Sequence, residues 1–254
     1  MSKFSVVIIT LNEERNISKC IDAALMVSDD IIIVDAKSND NTVKIAKEKG
    51  AKVYIQEWKG YSKAKNFGAK MASNDWIISI DADEVISEKL SSSIQNIDLK
   101  DNTVYQINVL SNFLGSWVKF SGWYPSWKKR IYNKTLFGWN NAEVHEALTG
   151  KIDYELLGLE GNLLHFSYQS PEDVEIKIER YSKLLAKEII KKGKRIGVLK
   201  RLFGPTYKFI NTFIFKLGIL DGITGYKISI MNAKVVRGKI KHYDYLTKNK
   251  KKLQ

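Results

Sequence analysis

The sequence predicts an α/β domain built on a doubly wound, mostly parallel sheet, followed by a basic helical extension. Apolar strand-like runs and amphipathic helical stretches alternate four times between residues 4 and 81. That rhythm is the one produced by parallel strands with right-handed crossovers. The first, second and fourth runs end in polar or acidic residues, which such a sheet gathers along one ligand-binding edge. The charge is also split. Residues 177–254 hold 21 Lys/Arg against 4 Asp/Glu, a net +17 in a chain of net +13, which leaves −4 for residues 1–176.

Lys3 to Thr10 is a continuous β-branched run, as in a strand buried on both faces. Asn12 is placed to cap the next helix, with Glu13 and Glu14 in its first turn. Ile17, Cys20, Ile21, Ala24 and Leu25 form that helix's apolar face, so the single cysteine reads as core packing. A second strand, Ile31 to Val34, ends at Asp35. Ser38 to Thr42 supplies caps for a helix through Lys49, closed by Gly50. Lys52 to Ile55 is the third strand, and Gly60 opens a helix carrying Ala64, Phe67, Gly68 and Met71. Thr103 to Leu110 reads as a later strand. Ser170-Pro171-Glu172-Asp173 is a helix start, with Val174, Ile178, Tyr181 and Leu185 as its stripe.

The fourth strand carries the chemistry. Trp76 to Ile80 is apolar and ends in Asp81-Ala82-Asp83-Glu84. Asp81 and Asp83 project to one side of an extended chain. Carboxylates without thiol neighbours suit a hard cation such as Mg2+ or Mn2+, which in turn holds a diphosphate. The first strand is followed neither by Gly-x-Gly-x-x-Gly nor by a phosphate-cradling Gly-rich loop with Lys-Ser/Thr, so dinucleotide and P-loop chemistry are disfavoured. A metal on Asp81 and Asp83, with Lys63 or Lys65, supplies the missing counter-charge.

Val6 to Glu14, Val34 to Thr42, Ala64-Lys65-Asn66-Phe67-Gly68 and Asp81-Ala82-Asp83-Glu84 together resemble the successive signatures of family 2 glycosyltransferases. The resemblance implies a GT-A fold, a Rossmann-like nucleotide-sugar-binding sheet with helices on both faces. It implies a catalytic domain over residues 1–170, with a donor half (1–100) and an acceptor half (101–170), and leaves 171–254 as the basic extension. By the same resemblance Thr10, Asn12, Glu13 and Asp35 line the base and ribose of the donor. Lys65, standing where the family usually has Arg, lies near the diphosphate, Asp81 meets ribose and metal, and Asp83 meets the metal. His165 is a candidate third metal ligand, set against the reading of a hydrogen-bonded core histidine.

An inverting transfer also needs a base for the acceptor hydroxyl. Glu146 is the first choice and Glu143 the second, in a Val-His-Glu segment resembling bacterial lipopolysaccharide-core glucosyltransferases. Trp123, Trp127, Arg130 and His145 are assigned to the acceptor side, where aromatics stack on sugars and cations meet phosphates. A covered hydrophobic flap is the competing reading of the Trp-rich stretch.

The expected activity is metal-dependent, inverting transfer of a hexose, glucose first, from a UDP-sugar to a lipopolysaccharide-core or other glycolipid acceptor. Alternatives are a polyprenyl-phosphate glycosyltransferase, a nucleotidyltransferase, and a non-catalytic basic module binding membrane or nucleic acid. No nucleic-acid partner is expected, because the motif-bearing part has no net positive charge. The N-terminus lacks signal-peptide features, and no stretch reaches the ~18 apolar residues a spanning helix needs. Large aromatics among the basic residues of 177–254 predict a helix lying on an anionic membrane surface. The expected location is therefore peripheral, on the cytoplasmic face, with residues 248–254 as a solvated tail.

Overall fold

The computed structural model describes residues 3–140 and 147–252. In chain order the elements are β1 (Phe4–Thr10), α1 (Ile17–Leu25), β2 (Asp30–Asp35), α2 (Thr42–Glu48), β3 (Lys52–Ile55), α3 (Tyr61–Met71), β4 (Trp76–Asp81), β5 (Glu84–Ile86), α4 (Glu88–Gln95) and β6 (Thr103–Phe113). There follow β7 (Ser116–Trp117), β8 (Trp127–Asn133), β9 (Phe137–Trp139), β10 (Leu148–Gly150), β11 (Glu155–Tyr168), α5 (Pro171–Lys191), α6 (Val198–Ile210) and α7 (Gly222–Lys252). A π-helical turn (Asn211–Phe215) and a 3-10 turn (Gly218–Asp221) join α6 to α7.

The chain divides into two compact units. One comprises Met1–Leu110 and Ser126–Phe166, the other Ser111–Pro125 and Ser167–Gln254. Residues 111–125, placed by sequence in the acceptor half of the catalytic domain, thus belong with the C-terminal helices. The Asp221 carboxylate holds them there, accepting from the backbone amides of Lys119 (3.0 Å) and Phe120 (3.1 Å) and from the Ser121 hydroxyl (2.7 Å).

In the first unit the strand order is β3-β2-β1-β4-β8-β6-β11-β5. The first four are parallel, and β8 runs antiparallel to β4. Every residue of β1 is buried, as its unbroken apolar run requires. The period of two then divides it between two cores. Val6 and Ile8 pack with residues of α1, α2 and α4, while Val7 and Ile9 pack with α3 and the β9–β10 hairpin. Cys20 is fully buried in the first of these cores. The register places Thr10 opposite Asp35, and Ile9 opposite Asp81, so all three strand ends fall on one edge.

Gly68 lets α3 come down on the sheet. A Cβ there would stand 2.3 Å from Val7 Cγ1 and 3.0 Å from Val34 Cγ2, both on stiff β-branched core residues.

In the second unit α5 begins with a capping box, the Ser170 hydroxyl accepting from the Asp173 amide and the Asp173 carboxylate accepting from the Ser170 amide. Ile178, Ser182 and Ala186 are its buried positions. Tyr181 and Leu185, expected in the apolar stripe, are instead 49% and 38% exposed. α7 lies against α5, where the Ser182 hydroxyl donates to the Val235 carbonyl (3.1 Å). It also lies against α6, where Arg201 Nη1 donates to both oxygens of Asp244 (2.7 and 2.6 Å). The helix runs through Lys252, where a tail from residue 248 was expected. Among the described residues no helix is long and apolar enough to cross a membrane.

Gly68→Ala is expected to destabilise the protein by about 1–3 kcal/mol, the cost of overpacking a filled core. Urea unfolding measures it, and an unchanged midpoint would show that α3 does not sit this close to the sheet.

Candidate active site

The site grows from the sheet edge. β1 ends at Thr10, which is buried and whose hydroxyl has no hydrogen-bond partner among the described residues. β2 ends at Asp35, also buried, whose carboxylate accepts from the Ser38 amide (2.8 Å) and hydroxyl. The Ser38 hydroxyl in turn accepts from the Asn12 amide (2.8 Å). Asn12 does not cap α1, which starts only at Ile17. It adopts a left-handed φ of 55°, a conformation asparagine tolerates, and its side-chain oxygen accepts from the Asn39 amide (2.9 Å). The Glu13 amide donates to Thr42 Oγ1 (2.8 Å), and Glu14 accepts from the Asn41 amide (3.0 Å). The loops after β1 and β2 are therefore stitched into one rim.

β4 ends at Asp81, between two cations. Arg130 Nη2, from β8, lies 3.2 Å from Asp81 Oδ2. Lys65 Nζ, from α3, lies 3.8 Å from Asp81 Oδ1 and 4.6 Å from the centre of the Trp139 ring. Asn66 holds that Trp139 in place by its backbone, accepting from the amide (2.9 Å) and donating to the carbonyl (2.8 Å). The third carboxylate, Glu84, is 1% exposed, pairs with Arg130 and accepts from the Asp81 amide (2.8 Å).

β5 pairs antiparallel with β11, which sets His165 opposite Glu84 and brings His165 Nε2 to 3.1 Å from Asp83 Oδ2. The Phe166 amide donates to the Asp83 carbonyl (2.8 Å), fixing the turn between β4 and β5.

Electrostatics separates these carboxyls. Burial opposes the charged form of Asp81, but Arg130 and Lys65 outweigh it and hold the carboxyl below its ordinary range. Burial dominates at Glu84 and pushes it up to about 7, with the like charge of Asp81 adding to burial and Arg130 opposing both. Burial works against the His165 cation as well, but Asp83, with Glu84 and Asp81 behind it, raises the imidazole above its usual value.

Asp83 and His165 supply an oxygen and a nitrogen donor side by side. Asp81 Oδ1 is buried without a hydrogen-bond partner among the described residues and has Lys65 at ion-pair distance. Among the described residues no group of three or more His, Cys, Asp or Glu closes around an ion. Such an open donor set fits a hard divalent cation, which commonly takes one or two carboxylates and fills its remaining positions with substrate phosphate and water.

The structure thus brings together Thr10, Asp35, Lys65, Asp81, Asp83 and His165, with Asn12 and Glu13 on the rim. Two acceptor-side assignments change. Arg130 is 6% exposed and neutralises Asp81 and Glu84 rather than presenting itself to an acceptor, because the buried Glu84 beside the half-buried Asp81 requires a cation. Trp123 belongs to the second unit, where its ring packs against Phe113 and Tyr168 with centroids 6.0 and 5.5 Å away. Trp127 stays 45% exposed at the start of β8. Glu143, His145 and Glu146 lie outside the described residues.

Glu84 received no role from the sequence, and Arg130, assigned there to the acceptor side, is its counter-ion. A signal for Arg130 exists: residues 1–176 hold only one other arginine, Arg15, among 18 lysines. A rare Arg in a Lys-rich stretch points to a place where the guanidinium's several donors are used.

Arg130→Met is expected to cost on the order of 3 kcal/mol, because it leaves buried carboxylates uncompensated, and adding Glu84→Gln should recover part of that loss. Denaturant unfolding of the two single variants and the double variant tests this, and strictly additive losses would rule out the coupled cluster.

Residues 5–150 match the Glycosyl transferase family 2 profile. An uncharacterized glycosyltransferase of Rickettsia typhi is 33% identical over 246 residues, covering 92% of this chain and 84% of its own. A lipopolysaccharide core biosynthesis glycosyltransferase of Rhizobium meliloti is 26% identical, covering 87% of this chain and 84% of its own. Among solved structures, a mannosyltransferase of Pyrobaculum calidifontis, in complex with GDP-Man and Mn2+, is similar over 94% of this chain and 86% of its own, at 12% identity and a TM-score of 0.53. The doubly wound sheet, with its acids at the strand ends, is therefore that of a GT-A enzyme, and the chain belongs to glycosyl transferase family 2.

Proposed function

We propose that this glycosyltransferase moves a hexose, glucose first among candidates, from a UDP-sugar to a lipopolysaccharide-core or other glycolipid acceptor at the cytoplasmic membrane face. The observation that carries the reading is the strand-edge cluster. Asp83 and His165 stand 3.1 Å apart, next to an Asp81 already neutralised by Arg130 and Lys65. An extra cation is not needed to compensate Asp81, so Asp83 and His165 are left to hold one for the donor. The GDP-Man and Mn2+ of the Pyrobaculum mannosyltransferase support a nucleotide-diphosphate-sugar donor with a divalent cation, and the core-biosynthesis role named for the rhizobial relative supports the acceptor class.

A Mn2+ or Mg2+ held there supplies Lewis-acid neutralisation of the diphosphate. The protein's own groups do the rest. The orphaned Thr10 hydroxyl and the rim built on Asp35, Asn12 and Glu13 receive base and ribose. Lys65, held against Trp139 and Asp81, adds positive charge toward the diphosphate. Trp127 offers an exposed ring to the acceptor sugar.

Glu146, with Glu143 second, takes the proton from the acceptor hydroxyl. That oxygen then bonds to the anomeric carbon from the face opposite the diphosphate. The anomeric C–O bond breaks, and the nucleoside diphosphate leaves with the electron pair, so configuration inverts. These two glutamates are assigned on their place in the sequence, after the metal site.

Membrane-surface binding accounts for the second unit. α6 presents Val198, Leu199, Leu202, Phe203 and Tyr207 at 61–75% exposure, on a segment of strong positive charge.

Transfer from radiolabelled UDP-glucose into a glycolipid extract tests the assignment of the base. Glu146→Gln is expected to bind UDP like the parent while transfer falls by about 100-fold or more, the usual contribution of a general base. Normal transfer by this variant would refute the assignment, and no incorporation from any UDP-sugar by the parent enzyme would refute the donor class.

A further inference from the structure

The second unit contains a groove of about 480 Å3 between α5, α6 and α7, outside the sheet-edge site. Its apolar walls include Tyr181, Leu185 and Val236, and three lysines enter it, Lys177, Lys208 and Lys239. Lys177 already donates to the Ser167 carbonyl and stands over the Tyr168 ring. Lys208 and Lys239 are half-buried, and no carboxylate is among the described residues lining the groove. Burial, together with the nearby Lys216, holds the Lys208 ammonium below its ordinary range. Burial, with Lys200 and Lys208, does the same at Lys239. Crowded, partly desolvated cations are costly unless an anion joins them.

The setting identifies that anion's carrier. The inward face of α6 is mixed, with Arg201 on Asp244, Gly204 against Val236, Lys208 in the groove and Phe209 against Tyr226. Its apolar face is outward, with Leu199 75% and Phe203 61% exposed. A ligand fitting this setting has an anionic head for the lysines and hydrocarbon for the exposed Tyr181 and Leu185 of the groove wall, and lies in the same membrane surface that the outer face of α6 would meet.

We propose that the groove binds the phosphate of one anionic membrane phospholipid through Lys208 and Lys239, while the acyl chains run over the exposed Tyr181 and Leu185 of its wall. The proposal rests on the membrane reading above and deepens it from general surface attraction to a defined headgroup site.

The test uses the full chain and dihexanoyl phosphatidylglycerol, kept monomeric. It is run beside dihexanoyl phosphatidylcholine, inorganic phosphate, and phosphatidylcholine vesicles with and without phosphatidylglycerol. The parent protein should bind the monomeric anionic lipid saturably. Lys208→Gln/Lys239→Gln should weaken that binding about tenfold or more, as two lost lysines near an anionic surface imply. Lys208→Arg/Lys239→Arg should retain it. Lys183→Gln/Lys187→Gln, which removes the same charge from exposed positions of α5, should change it little. Leu199→Ser/Phe203→Ser should lose the vesicles while keeping the monomeric headgroup.

Binding of anionic vesicles with no dependence on Lys208 and Lys239 would overturn the groove site and leave the membrane reading standing. Inorganic phosphate binding as tightly as the lipid would make this a free-phosphate site. A parent protein that ignores every vesicle would overturn both readings and turn the α6 face toward a protein partner.

Discussion

Four charges held together at the end of β4 constrain the first unit more than any other interaction. Asp81 and the fully buried Glu84 are too close to coexist as anions without cations. Arg130 answers both of them, and Lys65 answers Asp81. Meeting that demand fixes much of the surrounding architecture. β8 must lie antiparallel beside β4 to deliver Arg130, and α3 must come close enough to deliver Lys65. That approach is possible because Gly68 clears Val7 and Val34. Asn66, next along α3, then clamps β9 through the backbone of Trp139. With Asp81 compensated internally, the turn between β4 and β5 is free to present Asp83 to His165.

The second unit poses a different physical problem. Several polar groups of this unit pair internally, through Ser182 on Val235, Arg201 on Asp244 and Asp221 on the backbone of residues 119–120. Its large apolar side chains on α6 and the following turns remain uncovered. Such a surface is unfavourable in water and favourable at an interface between water and hydrocarbon, and the concentration of lysine in the same segment gives that interface a sign.

Much of this was legible in the sequence, for identifiable reasons. Unbroken β-branched runs such as Phe4–Thr10 admit few alternatives to a buried strand, and the four strand–helix alternations then place Thr10, Asp35 and Asp81 on one edge. Ser170-Pro171-Glu172-Asp173 announced its helix because capping chemistry is local. Arg130 was misplaced because its role depends on β8 pairing with β4 across more than 40 residues of chain, which no local pattern encodes. Asn12 was misread because a residue suited to cap a helix is equally suited to tie two loops together. The large aromatics of the basic segment were visible, but their presence does not say which of them its neighbours cover. Trp123 reads the same whether it stacks on a sugar or packs on Phe113 and Tyr168.

The central claim is that Asp83, oriented by His165, links this sheet edge to the diphosphate of a nucleotide. Calorimetric titration of UDP in the presence and absence of Mn2+, on the parent protein and on Asp83→Asn, measures that link most directly. UDP binding should strengthen with Mn2+ in the parent and lose that strengthening, by about tenfold or more, when one ligand carboxylate is removed. Equal affinity for UDP with and without Mn2+, unchanged in Asp83→Asn, would contradict it.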